Sequence, residues 1–196
     1  MAGVTRVPSQ FIFATEALRD AAITAPVEGQ QAYITASTVA AATGAITAVP
    51  SGVQTIYNGS AWVCVTEVGA RSETSGDTTS TSFTSTLTGD ATAVSVTLVT
   101  GATALVSIHF QGFTNTAAVS VMAVAVSGAS TIAATQGKGV IHNDISNAAA
   151  TSLSHGSSFV FTGLTAGTNV FTAQYKTSAG TATFANARTL SVRGIA

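Results

Sequence analysis

Charge is what this 196-residue chain has least of. Asp, Glu, Lys and Arg together make up 8% of it, against about 25% in an average soluble domain. With a formal net charge of −1, little repulsion opposes self-association, which predicts an obligate homo-oligomer. The few cations, Arg6, Arg19, Arg71, Lys138, Lys176, Arg188 and Arg193, are scattered along the sequence. They form no basic patch interleaved with aromatics, which argues against a nucleic-acid partner. Cysteine is nearly absent. Cys64 stands alone, so an internal disulfide is impossible and a thiolate metal site has no second ligand. It sits in a strand pattern rather than at a helix N-terminus, so it reads as a buried structural thiol. Long apolar runs are missing too. The longest, Val119 to Val126, is broken by Ser120 and falls far short of the roughly twenty residues of a membrane helix. Met1 to Pro8 lacks the apolar core of a signal peptide, which predicts assembly in a cytoplasm.

What the chain does have is apolar content: 46% hydrophobic residues, enough for a packed core and incompatible with a disordered chain. Residues 1 to about 12 read as an extended arm. Thr15 suits the N-cap of a short helix over Glu16–Ala22, with Glu16 favoured by the helix dipole and Pro26 preventing continuation. Ala36 to Ser51 reads as a loop or inserted excursion. Val53 to Val65 predicts a hairpin, with Asn58-Gly59 as the central pair of a type I′ turn. That turn would pair Tyr57 with Ser60, Thr55 with Trp62 and Val53 with Cys64. Tyr57 and Trp62 would then share one face, with Trp62 largely buried.

The polar stretch over 71–82 lacks periodicity and predicts a linker between a module at 1–70 and a domain at 83–196. Beyond it, strand signals recur at Phe83–Leu87, Ala93–Val99, Ala104–Phe110, Ala118–Val126, Val140–His142, Ser158–Phe161, Asn169–Tyr175, Thr181–Phe184 and Thr189–Val192, with glycines between many of them. The fold class is therefore mainly β, an antiparallel sandwich or barrel preceded by a small arm, helix and hairpin. Ala118–Val126 is apolar on both faces, so Val121 or Val124 is expected to meet a second chain.

Chemistry-bearing motifs are few. His109 alternates with Leu105 and Ser107 on a strand and reads as a packing or interface residue. His142 precedes Asp144 by two residues, and His155 opens a strand; neither brings the converging ligands that a metal or hydrolytic site needs. The carboxylates show no acid/base pairing, and Gly137-Lys138-Gly139 is no phosphate loop. No catalytic, cofactor-binding or metal site is expected.

Two stretches carry a resemblance. The first joins Arg19-Asp20-Ala21-Ala22-Ile23, Pro26, Glu28-Gly29 and Ala32-Tyr33 to Tyr57-Asn58-Gly59-Ser60-Ala61-Trp62-Val63. It resembles a module near the start of many tailed-bacteriophage virion proteins. The second runs from Gly163-Leu164-Thr165-Ala166-Gly167-Thr168 through Gln174-Tyr175 to Gly180-Thr181-Ala182-Thr183-Phe184 and Leu190-Ser191-Val192. It is similar to the ending of jelly-roll domains in phage tail and head appendages, with Asn169 in place of a common His. The resemblance implies a non-enzymatic surface appendage of the minor tail or fibre type, located in the virion. It also implies trimer formation, and contacts to other virion proteins made through the assembly residues Tyr57, Asn58, Gly59 and Trp62. Three alternatives stand beside it: a capsid decoration protein or head fibre; an enzyme such as a depolymerase, which the length and the missing motifs disfavour; and a carbohydrate-binding module. The last would meet a host-surface glycan through Tyr175, Phe113 or Phe159.

Overall fold

The computed structural model describes residues 11–38, 40–144, 152–185 and 187–196; most of the expected N-terminal arm lies outside them. In chain order, the described elements begin with β1 (Phe11–Phe13), α1 (Glu16–Ala22), β2 (Gln31–Ile34), β3 (Ala40–Thr43), β4 (Ile46–Ala48), β5 (Val53–Tyr57), β6 (Trp62–Cys64), β7 (Val68–Ser72) and β8 (Gly76–Thr78). They continue with β9 (Ser95–Thr100), β10 (Thr103–Thr114), β11 (Ala118–Gly128), a 3₁₀ turn over Gln136–Lys138, β12 (Gly139–Asp144), β13 (Leu153–Thr162), β14 (Gly167–Thr177), β15 (Ala182–Phe184) and β16 (Arg188–Ile195).

Period-two alternation builds the main layers. In β10 inward Ala104, Val106, Ile108 and Phe110 alternate with half-exposed Leu105, Ser107, His109 and Gln111, the pattern of a strand with one face on a core. One sheet runs β12-β11-β14-β9-β3. In the other, β13 lies on one side of β10 while β16 and β15 follow each other along its opposite side. There β7 and β8 continue outward, and β4 forms the far edge. The two sheets enclose one apolar core, and the result is the antiparallel sandwich that the sequence predicts. Phe161 meets Phe171 edge-on at 6.0 Å, and Phe184 contacts both Phe110 and Tyr175, at 5.1 and 4.9 Å. Each such fully buried side chain contributes about 1.5–3 kcal/mol.

A third, four-stranded sheet, β1-β2-β5-β6, carries the N-terminal residues. It is not an independent body, because Ile34, Val53 and Cys64 belong to the same core as the sandwich. Two glycines permit the approach. A Cβ at Gly194 would lie 2.5 Å from Val63 Cγ1 and 2.6 Å from the Cys64 carbonyl, and one at Gly101 would lie 2.5 Å from Asn58 Nδ2.

Three expectations need correction. The 71–82 stretch is not a linker throughout: Arg71 and Ser72 end β7, and Gly76–Thr78 form β8, both paired to C-terminal strands. The Ala36–Ser51 excursion supplies β3 to one main sheet and β4 to the other. Phe83–Leu87 is no regular strand: its backbone pairing is limited to isolated bridges, Thr84 to Tyr175 and Leu87 to Asp90, although Leu87 is buried in the core.

The polar composition of 71–82 hides these strands, and the inward Ser72 is satisfied there by a buried ion pair. Arg188 is fully buried and bonds Asp90, the Ser72 hydroxyl (2.9 Å) and the Thr74 carbonyl (3.0 Å). Ser72 also donates to Asp90, as does the Thr92 N–H at 2.9 Å. The Arg188 guanidinium lies 5.2 Å from the Tyr175 ring centre, and burial pushes the Tyr175 hydroxyl up to about 12. Burial alone would raise the Asp90 pKa. The hydrogen bonds from Ser72 and Thr92 and the Arg188 charge outweigh it and hold this carboxyl below its ordinary value.

Two predictions follow from these contacts. Arg188→Met leaves a buried, unpaired carboxylate and should cost about 3–5 kcal/mol in urea unfolding, whereas Arg188→Met with Asp90→Leu should recover most of the loss. Because the folded-state pKa of Asp90 is depressed, its contribution is complete above the ordinary aspartate value of about 3.9 and is lost as pH falls below it. The double variant should therefore lose less stability on acidification than wild type. Gly194→Val should cost about 1–3 kcal/mol by overpacking against Val63 and Cys64; unchanged unfolding would contradict the close approach.

Candidate interaction surface

The two halves of the N-terminal motif touch each other. Thr15 caps α1, its hydroxyl accepting the Leu18 N–H at 3.3 Å. The Glu16 carboxylate accepts the Ser37 hydroxyl at 2.6 Å and the Thr38 N–H at 3.1 Å, which ties the helix start to the loop beyond β2. Burial raises the Glu16 pKa, but these hydrogen bonds prevail and leave it below the usual range.

One turn on, Arg19 points inward and is 5% exposed. Its guanidinium pairs with Asp20 at 2.8 Å, donates to Thr55 Oγ1 at 3.5 Å, and lies 4.7 Å from the centre of the Trp62 ring. Trp62 contacts Tyr57 at 5.6 Å between ring centres. The Gly29 N–H donates to the Tyr57 carbonyl at 2.8 Å, and the Tyr57 N–H to the Gln30 carbonyl at 2.9 Å. Helix, Pro/Gly turn and hairpin are thus closed into one unit around Arg19 and Trp62.

The hairpin register differs from expectation by two residues. Tyr57 pairs with Trp62, Ile56 with Val63 and Thr55 with Cys64. The Asn58 N–H donates to the Ala61 carbonyl at 3.1 Å, so Gly59 and Ser60 are central. Only Gly59 has positive φ, at 87°, which excludes type I′, where both central residues require it. Asn58 serves instead through its side chain: Oδ1 accepts the N–H groups of Ser60 and Ala61 at 3.1 and 2.9 Å. A shift of two preserves the faces, so Tyr57 and Trp62 do lie together. Trp62 is half-buried rather than largely buried.

The unit and the adjoining β1 also expose large apolar side chains. Phe11, Ile12, Leu18 and Val27 are 40%, 67%, 54% and 66% exposed. Phe11 and Gln30 line both of two open clefts of about 400 and 360 Å³. Phe13, Ala22 and Ile23 complete one, and Val27, Glu28 and Gly29 the other. Single exposed apolar residues are ordinary on a protein surface; here four stand on one small module, and two of them, Phe11 and Val27, line one cleft, which makes that cleft the candidate interaction site.

The remaining sequence candidates behave differently. Val121 and Val124 are both buried within the single chain, at 0% and 1% exposure. The inward face of β11 meets the core, and the segment around the 3₁₀ turn lies near its other side. Neither valine is available to a second copy, so Val121→Asp or Val124→Asp would test folding rather than assembly. Tyr175 is fully buried and cannot stack on a sugar; Phe113 and Phe159 are half-buried. Cys64 is buried, its thiol raised by burial and 3.7 Å from the Thr66 carbonyl.

Among the described residues no group of three or more His, Cys, Asp or Glu is placed to hold a metal, and no helix is long and apolar enough to cross a membrane. Two features escaped the sequence reading. His142 and His155 meet at 2.9 Å, and a hydroxyl-rich cleft of about 480 Å³ is lined by Asp77, Ser80, Thr84, Thr86 and Thr88 among others. Both are assembled from separate segments, and periodicity along one strand carries no signal for such a meeting.

No family model matches the chain, and no curated protein matches it. Among solved structures it is similar to an Eiger TNF from S. frugiperda, with 12% identity, a TM-score of 0.44, and coverage of 63% of this chain and 86% of the other. It is also similar to a cycloisomaltooligosaccharide glucanotransferase of Paenibacillus sp., with 17% identity, TM-score 0.28, and 80% and 18% coverage. A third is a Bacillus thuringiensis Cry1Da tryptic core variant, with 10% identity, TM-score 0.29, and 84% and 23% coverage.

The closure of the module is testable by a double-mutant cycle. Arg19→Ala and Trp62→Ala should couple by about 0.5–2 kcal/mol in unfolding free energy, the range for a partly desolvated cation–π contact. Strict additivity would show that the helix and hairpin do not depend on each other.

Proposed function

We propose that this chain is a non-enzymatic structural protein of a tailed-phage virion, a surface appendage of the minor tail or fibre type. In this reading the N-terminal unit docks on other virion proteins through Phe11, Ile12, Leu18 and Val27, and the sandwich projects as a knob available to the host surface. The observation that carries the reading is the closure of the recognised motif on itself: Arg19 from its first half against Trp62 from its second, with an exposed apolar face alongside. A docking unit needs this combination, a rigid small frame presenting apolar area to a partner. Low overall charge supports self-association of the knob, and the resemblance to phage appendages favours a trimer. In this reading the contact between copies does not run through Val121 or Val124, which are buried within the chain.

Ile12→Asp and Val27→Asp change exposed side chains and should leave circular dichroism and unfolding within about 0.5 kcal/mol of wild type. Particles assembled with either variant should contain little of the chain. Normal incorporation of both would contradict docking by this face. Mass spectrometry of separated tails and heads distinguishes a tail appendage from a capsid decoration protein or head fibre. A wild-type chain that stays a stable 19.4 kDa monomer in light scattering would refute the trimer.

A further inference from the structure

The histidine contact lies where the sandwich is least secured. β12 ends one main sheet and β13 ends the other, so their side chains meet across the open edge of the sandwich. His142 Nδ1 and His155 Nε2 are 2.9 Å apart, with ring centres at 4.9 Å, and the His155 ring also packs on Phe110 at 5.7 Å. His142 is 4% exposed. An N–H···N bond between imidazoles needs at least one unprotonated acceptor nitrogen, so it can survive the first added proton but not the second.

The packing around the pair is polar. Ser120 pairs with His142 across the β11–β12 ladder, and its hydroxyl and His142 Nε2 are both buried with no hydrogen-bond partner among the described residues. We propose that His142 and His155 form a pH-operated clasp between β12 and β13, closed near neutral pH and released when both rings are protonated.

The titratable groups on the surrounding elements are few. β10 contributes His109, whose Nδ1 is 3.1 Å from the Ala187 carbonyl, and β11 contributes none. On β12, Asp144 stands two residues from His142 on the same inward face and is 7% exposed. The 3₁₀ turn contributes Lys138, which lies over Phe161, six residues along β13 from His155. Asp144 is the one carboxylate on the described residues of these elements. Burial lowers the His155 pKa, and the charges of His142 and His109 lower it further. The open state thus binds protons more readily than the closed one. Closure is complete above the ordinary histidine value of about 6.5 and is lost as pH falls below it.

Native-state amide exchange of the intact chain tests the clasp, with β14 as internal reference and rates corrected for their intrinsic pH dependence. Between about pH 7.5 and pH 5, protection of β12 and β13 relative to β14 should fall at least about tenfold. His155→Gln should abolish that pH dependence, and His109→Gln should retain it. A wild-type ratio that does not change with pH, or a fall that persists in His155→Gln, would overturn the proposal. Should His155→Gln not fold, imidazole ¹⁵N spectra of the wild type decide. His142 and His155 titrating interdependently supports the clasp; simple independent titration of each contradicts it.

Discussion

The close approach of β6 to the sandwich at Gly194 and Gly101 is the constraint on which the rest of the structure depends. Val63 and the Cys64 carbonyl lie too near Gly194 for a side chain there, and Asn58 and Val63 crowd Gly101. That proximity merges Ile34, Val53 and Cys64 into the core between the two main sheets. The hairpin is thereby fixed, and with it the Trp62 face on which Arg19 rests. The helix is too short to persist alone; it is held by its Thr15 cap, by Glu16 and by Arg19. The order of the module that exposes Phe11, Ile12, Leu18 and Val27 depends on this chain of contacts ending in the sandwich.

A second buried element fixes the other end of the molecule. The Arg188–Asp90 pair is costly to desolvate, and a buried ion pair is weak support for net stability. Its role here is to order polar backbone and hydroxyl groups that would otherwise be orphaned inside. It gathers Ser72, Thr74 and the Asp90 turn around one guanidinium. The end of β7 and the Asp90 turn are thereby tied to the start of β16.

Strand existence was largely legible in the sequence, since alternation in β10, β14 and β16 reports burial on one face directly. Turn geometry was less so. Asn58-Gly59 suggested a central pair, but the Asn58 side chain competes for the turn N–H groups and moves the pair on by one residue. The polar 71–82 stretch concealed two strands because its inward Ser72 and Thr78 are buried, Ser72 against an ion pair contributed from far along the chain. The doubly apolar face of β11 suggested a partner chain, yet the fold buries Val121 itself. The exposed apolar residues of the N-terminal unit were not legible as a group, because Phe11, Ile12, Leu18 and Val27 show no shared periodicity, and Phe11 meets Val27 in one cleft only through the pairing of β1 with β2.

The account's central claim is that the N-terminal unit meets other virion proteins while the sandwich stays free. A photo-crosslinking amino acid placed at Ile12, and separately at the exposed Val160 of β13, tests it in intact particles. The account predicts that the probe at Ile12 joins this chain to a different virion protein and that the probe at Val160 does not. Crosslinks to other virion proteins from Val160 alone, or a chain absent from the particles, would contradict it.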